Sequence, residues 1–192
     1  MRRNKETYFR MMSFVHETLY GLLRDPFKAL ETAGLEAGQR VLEVGCGPGF
    51  FTVPAARTVG EEGSVLALDV NPLAVEQVQQ KIDEAGVNNA EVILANAART
   101  DLPDQSFDLA FVFGVAHPIG GMEAIWDELH RLLKVDGTLA VEGRLQPPDR
   151  LFEPVKRRGR ICRFRKAGYL PKKSYPDRHP IASDHGYGVS KQ

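Results

Sequence analysis

The chain has 192 residues, enough for one domain built around a single sizeable core and too few for two of ordinary size. Its 43% hydrophobic and 26% charged residues are the proportions of a folded globular protein, and no apolar run approaches the roughly 18 residues that a helical membrane span needs. The formal net charge of zero conceals a strong polarity: residues 150–192 carry 12 Lys or Arg against 3 acids, residues 1–10 carry 4 against 1, and the middle is correspondingly acidic. Such ends either lie against the acidic body or form a basic arm for nucleic acid or another anionic surface.

In chain order, Met1-Arg2-Arg3-Asn4-Lys5-Glu6 is followed by no uninterrupted apolar segment or small-residue cleavage site, so no secretory signal is expected. Only Cys46 and Cys162 occur, which suits a reducing, cytoplasmic setting better than a disulfide framework, and neither spacing suggests a metal. Residues 7–33 contain Phe9, Met12, Phe14, Val15, Leu19, Leu22 and Leu23, read as one or two helices packing over the upper edge of a sheet formed by the residues beyond them. Residues 1–36 are thus expected to form an N-terminal helical cap.

From Arg40 onward strands and helices alternate. Arg40–Gly45 is a short apolar strand ending in glycine, and Phe50–Ala56 opens a helix. Val65–Asp69 is a second strand, and Asn71-Pro72 supplies an N-cap and a first-turn proline for a helix bearing Val75, Val78, Ile82 and Ala85 on one face. Val92–Ala95 and Phe107–Phe113 are the third and fourth strands, the latter almost continuously apolar, as a central parallel strand should be. Met122, Ile125, Leu129, Leu132 and Leu133 mark an amphipathic helix, and Thr138–Glu142 a fifth strand. After Pro147-Pro148, Leu151–Lys156 and Arg160–Arg165 flank Arg157-Arg158-Gly159 as a terminal hairpin. The expected fold is α/β, a Rossmann-like doubly wound, mostly parallel sheet with an antiparallel C-terminal edge and N-terminal helices. That domain spans residues 37–166. Residues 167–192, rich in Gly, Pro, Lys, Ser and His, read as an extended or disordered basic tail.

A strand that ends in Gly45-Cys46-Gly47-Pro48-Gly49 and turns straight into a helix brings backbone N–H groups and a positive helix end to a ligand. Taken alone the turn leaves the cofactor open, since dinucleotide sites use a related Gly-x-Gly-x-x-Gly turn with an acid about 20 residues on.

The run Val41-Leu42-Glu43-Val44-Gly45-Cys46-Gly47-Pro48-Gly49 closely resembles the first motif of class I S-adenosylmethionine-dependent methyltransferases. The resemblance continues through Leu68–Pro72, Leu102–Asp108 and Leu132–Leu139, covering roughly residues 35–145, and within the superfamily it points to the ubiquinone/menaquinone-biosynthesis-like small-molecule enzymes. It implies S-adenosyl-L-methionine as cofactor. Gly45 and Gly47 would let the backbone approach the methionine part, with Cys46 and Gly49 completing the turn and Glu43 helping to hold the amino group. Asp69 would accept hydrogen bonds from the ribose hydroxyls, a task suited to a group that offers only acceptors. Val70 would pack on the adenine, and Asn96, where the family commonly has aspartate, would accept from the adenine amino group, with Ala97 and Phe113 also lining the site. The implied reaction is in-line displacement onto a small-molecule methyl acceptor, which needs mainly alignment.

His117, after the fourth strand, is the candidate base for an acceptor that must lose a proton; the alternative is a loop histidine that only shapes the pocket. Tyr8, His16 and Tyr20 are further candidates for the mouth. Cys46 beside a helix N-terminus invites a thiol role, against which packing is the simpler reading. No Asn/Asp-Pro-Pro-Tyr/Phe sequence occurs after strand four, which argues against amino methylation of DNA bases. RNA methylation, a non-catalytic cofactor-binding protein and a nicotinamide-dependent oxidoreductase remain the alternatives. One departure stands out: the family usually places a helix between strand five and the hairpin, and here only residues 146–150 separate them. Either that helix is lost or Leu151–Arg158 forms it. A lost helix would expose apolar sheet surface that a second subunit, in a homodimer, could cover.

Overall fold

The computed structural model describes residues 25–114 and 121–168. Its elements run α1 (Pro26–Ala33), β1 (Arg40–Val44), α2 (Thr52–Val59), β2 (Ser64–Asp69), α3 (Pro72–Ala85), β3 (Ala90–Leu94), β4 (Phe107–Val112), α4 (Met122–Leu132), β5 (Leu133–Glu142), β6 (Phe152–Arg158) and β7 (Ile161–Lys166). They build one seven-stranded sheet of order β3-β2-β1-β4-β5-β7-β6, parallel from β3 to β5 and antiparallel at β7 and β6. The Rossmann-like sheet with an antiparallel C-terminal edge is therefore present.

Alternation along each strand separates two packed faces. Val41, Val65, Leu109, Phe111, Ala140 and Ile161 face α1 and α2, while Ala67 and Val92 face Val78 and Ile82 of α3. Leu42, Leu66, Leu68, Ala110, Val112, Leu139 and Val141 face the opposite side, where Ile125, Trp126, Leu129 and Leu132 of α4 cover them. Each large side chain buried this way contributes roughly 1.5–3 kcal/mol of transfer free energy. The last helix of the N-terminal stretch, α1, is started by Asp25, whose carboxylate accepts the Phe27 and Lys28 N–H groups, and stopped by Gly34 at φ +94°. It lies on the sheet face beside α2, against β7, rather than over the upper edge; residues 1–24, with Tyr8, His16 and Tyr20, lie outside the described residues.

The capping expected at Asn71 is realised: its Oδ1 accepts the Leu73 N–H at 3.1 Å, Pro72 opens α3, and Gly86 closes it in the left-handed region. The fifth strand starts earlier than expected, directly after α4 at Leu133, because Lys134–Gly137 bulge out of register between the Phe107↔Leu133 and Leu109↔Thr138 pairs.

The helix between β5 and the hairpin is absent, and Leu151–Arg158 does not form it: Phe152–Arg158 is strand β6. The reason is length. β5 and β6 run the same way, both antiparallel to β7, so the connection must descend the sheet from Glu142 at its upper end to Phe152 at its lower end. The register puts these ends five residue levels apart, about 17 Å at the rise of a strand. The nine residues 143–151 span that easily when extended, whereas as a helix they would rise only about 14 Å. This strap is pinned to α4 by Arg150, whose Nη1 meets Asp127 Oδ1 at 3.0 Å, and it buries Pro147 and Leu151. Leu139, Val141, Phe152, Cys162 and Phe164 are consequently buried, so the apolar face on which a covering second subunit was expected is already covered within the chain. Residues 169–192 of the tail lie outside the described residues, but its first residue by sequence, Ala167, is fixed, its N–H donating to the Leu151 carbonyl at 2.9 Å.

Candidate functional site

One row of paired residues, Ile93–Leu68–Val44–Val112–Val141–Cys162–Arg157, marks the upper edge of the sheet. The glycine turn leaves β1 one residue beyond it. Crevices above the carboxyl ends of parallel strands, where strand order reverses, are where such sheets take ligands, and here the reversal falls between β1 and β4.

The turn is held from below and from the side. Gly45 and Cys46 both donate their N–H groups to the Leu68 carbonyl, at 2.8 and 3.1 Å, and the Gly49 N–H donates to the Cys46 carbonyl at 2.9 Å. Lys81 Nζ, reaching from α3, donates to the Pro48 carbonyl at 2.7 Å. The glycines divide their labour. Gly47 sits at φ +50°, and among the described residues there is open space where a side chain would stand, so nothing in them blocks a ligand from that face. Gly49, at φ +82°, is pressed against α3: a Cβ there would stand 2.8 Å from Val78 Cγ2. Its place in the turn is thus accounted for by helix packing.

Asp69 closes β2 beside the turn, half-buried. Its Oδ2 accepts the Gly47 N–H and its Oδ1 the Asn71 N–H, both at 2.9 Å, which fixes the carboxylate while leaving each oxygen a further lone pair. Val70, the next residue, is 43% exposed, and Leu94, paired in register with Asp69, is 59% exposed. Val70 is the apolar residue that the resemblance implied; Leu94 is an exposed one that sequence patterning missed, because it reads as the end of a buried strand.

Glu43 points into the interior. It is buried, and the Thr52 hydroxyl donates to its Oε2 at 2.6 Å. Burial, opposed by that hydrogen bond and reinforced by the nearby charge of Asp69, pushes its carboxyl up to about 8. Thr52, the first residue of α2, is the partner that sequence reasoning overlooked; a hydroxyl at a helix start nine residues after a buried acid was the available signal. Cys46 is buried among Ala67, Val78, Ile82 and Val92. Burial, then the charges of Glu43 and Asp69, push its thiol up, so the helix-terminus thiol chemistry loses to packing.

Asn96 is exposed, with its Oδ1 already accepting the Ala98 N–H at 2.9 Å. Ala97 is buried in the core under α4, and the Phe113 ring is buried against Phe51 and Phe111, with centroids 5.3 and 5.0 Å away. These two side chains serve the core beneath the crevice. His117 lies outside the described residues. The Leu102–Asp108 motif is not at the crevice at all. Asp104, with Glu128, holds Arg131, whose guanidinium also donates to the Leu102 and Thr100 carbonyls, while Asp108 ties the Arg40 N–H to Lys134 at the lower edge. Among the described residues no cluster of His, Cys, Asp and Glu could hold a metal ion.

A methyltransferase-domain family model matches residues 35–146, and the chain belongs to that family, in the class I S-adenosylmethionine-dependent methyltransferase superfamily. Among curated proteins it is 31% identical over 142 residues to a demethylmenaquinone methyltransferase of Listeria welshimeri, covering 73% of this chain and 59% of that one. It is 32% identical over 130 residues to a ubiquinone/menaquinone biosynthesis C-methyltransferase of Cronobacter sakazakii, covering 67% and 50%. The chain thus spans between half and three-fifths of the length of these relatives. Its fold matches the crystal structure of a SAM-dependent methyltransferase from Aquifex aeolicus with a TM-score of 0.63 and 28% identity, over 74% of this chain and 88% of that one. No helix of the described residues is long and apolar enough to cross a membrane.

Proposed function

We propose that the chain binds S-adenosyl-L-methionine above the glycine turn and transfers its methyl group to a small organic molecule, with an aromatic or quinone-type acceptor the class to which the relatives' names point. The observation that carries the reading is the grouping of an open Gly47, the Asp69 carboxylate bonded to it and the exposed Val70 next to that carboxylate. A carboxylate suits a diol, and an exposed apolar side chain on the next residue suits the base attached to that diol. When bound, the cofactor supplies a methyl group already activated on a sulfonium, so the residues of this chain need chiefly to hold and align. Asp69 takes the ribose hydroxyls on its remaining lone pairs. Gly47 admits the methionine portion. Glu43, behind the turn, sets the position of α2 through Thr52.

Calorimetry with S-adenosylmethionine and S-adenosylhomocysteine tests the cofactor site. Losing hydrogen bonds to a charged acceptor costs roughly 1.5–3 kcal/mol, so Asp69→Ala should weaken binding about 10- to 150-fold; unchanged affinity would remove the assignment. His117 is proposed as the base for acceptors that must shed a proton. His117→Ala should then lower kcat roughly 100-fold or more while leaving the cofactor dissociation constant alone, and a loss of cofactor affinity instead would assign it to the pocket wall.

A further inference from the structure

The terminal hairpin carries a feature that cofactor binding does not use. Lys156, Arg157, Arg158 and Arg160 are four exposed cations around the Gly159 turn. Among the described residues only Arg160 has an acidic partner there, Glu142 at 3.6 Å, while its own side chain stays 80% exposed. Register puts Lys156 and Arg158 on the same face as Arg163 and Ile161, and Arg157 on the other, so it is the tip of the hairpin, not one flat side, that is basic.

Three observations say what such a tip can meet. First, the outer strand is guarded against pairing with another strand: Pro154 removes a donor and Val155 bulges out of register, both standard protections of a sheet edge. A second copy joining edge to edge is disfavoured. Second, Val155, beside the cations, is 52% exposed, whereas the hairpin's aromatic rings, Phe152 and Phe164, are buried. Among the described residues the tip therefore offers charge with an apolar side chain and no ring on which a nucleic-acid base could stack. Third, Arg157 stands in the same row of pairs as Val44, four strand spacings along, about 19 Å from the start of the glycine turn. The basic tip and the crevice mouth share one edge of the molecule.

We infer that the Lys156–Arg160 tip is a docking surface for an anionic phospholipid bilayer, which it meets with the crevice mouth turned toward the lipid. Cations near such a surface are drawn to it, and an exposed valine gains by entering the interface. The link to catalysis rests on the quinone-type acceptor proposed above: a ring carrying an apolar chain partitions into lipid and would reach the crevice from there.

Sedimentation of the full chain with phosphatidylcholine vesicles, with and without phosphatidylglycerol, tests the docking. The chain should bind only the anionic vesicles and be released at high salt, where screening reaches within about 3 Å. Each cation near the surface is worth roughly fivefold in partitioning, so Lys156→Gln, Arg157→Gln and Arg158→Gln together should reduce binding about a hundredfold. Replacing both arginines by lysine should preserve it. A urea unfolding curve on the glutamine variant shows whether the domain still folds, and its midpoint should match that of the wild type. No binding to anionic vesicles, equal binding by wild type and a folded glutamine variant, or retention by RNA but not by vesicles at the same salt would each overturn the inference. Because vesicle binding is read without turnover, its failure leaves the cofactor reading standing, and failure of the cofactor reading leaves the docking measurable.

Discussion

Glu43 is a carboxyl group placed where ionisation is costly. The Thr52 hydroxyl compensates part of the desolvation, and the neighbouring Asp69 adds repulsion, so the group holds its proton up to about pH 8. The folded state then binds a proton that the unfolded chain releases near its ordinary value of 4.5. The stabilisation this proton brings is therefore fully present below that value, declines as pH rises from there to about 8, and is gone above it. Glu43→Gln keeps an acceptor for Thr52 without the charge. Relative to the variant, the wild type should lose stability across that interval, on the order of a few kcal/mol, in urea midpoints measured at several pH values. A constant difference between the two proteins from pH 5 to 8 would show that Glu43 is ionised in the fold.

At the scale of elements, what was legible was local and what was not depended on partners far along the chain. Asn71-Pro72 announces α3 because capping and proline geometry act within a single turn, and the Arg157-Arg158-Gly159 hairpin is visible for the same reason. The strap was only half legible: two prolines rule out a helix, but that nine residues turning at both ends would also cover the sheet depends on the strand order, which no local pattern contains. Likewise Leu102–Asp108 matches a family motif by sequence, yet its acids turn out to grip Arg131 at the end of α4 and Lys134 just after it. Glu128 is central to that grip. Despite some desolvation, the hydrogen bonds from Arg131 and Thr100 hold its carboxyl down at about 2. Removing the cation leaves Glu128 and Asp104 without their shared partner and takes a donor from the Leu102 and Thr100 carbonyls, so Arg131→Ala should destabilise by roughly 1–3 kcal/mol, discounted from a buried pair because the guanidinium is a third exposed. Cofactor affinity should not change, since the network lies away from the crevice; a matched loss in calorimetry would place this motif in the site after all.

For the whole molecule, the crevice gathers groups from neighbouring elements of the parallel half of the sheet. The turn belongs to β1 and α2, Asp69 to β2, Lys81 to α3 and Leu94 to β3, so a ligand seated on Gly47 and Asp69 bridges the parallel half of the sheet to its helices. A ligand bound only by the folded state stabilises it by about 2.7 kcal/mol at a hundred times its dissociation constant. For a domain of this size each kcal/mol shifts Tm by roughly 2–4 °C, which gives about 5–11 °C for S-adenosylhomocysteine on the wild type. If Asp69→Ala weakens binding about thirtyfold, the same concentration is only about three times the new constant, and the shift shrinks to roughly 2–3 °C. The comparison separates two roles of Asp69 that calorimetry merges. Its bonds to the Gly47 and Asn71 N–H groups act in the free protein, so their loss lowers the unliganded Tm of the variant. Its bonds to the ligand act only in the complex, so their loss reduces the increment. A lowered starting Tm with an undiminished increment would make Asp69 a brace for the turn alone and move ribose recognition elsewhere on the crevice.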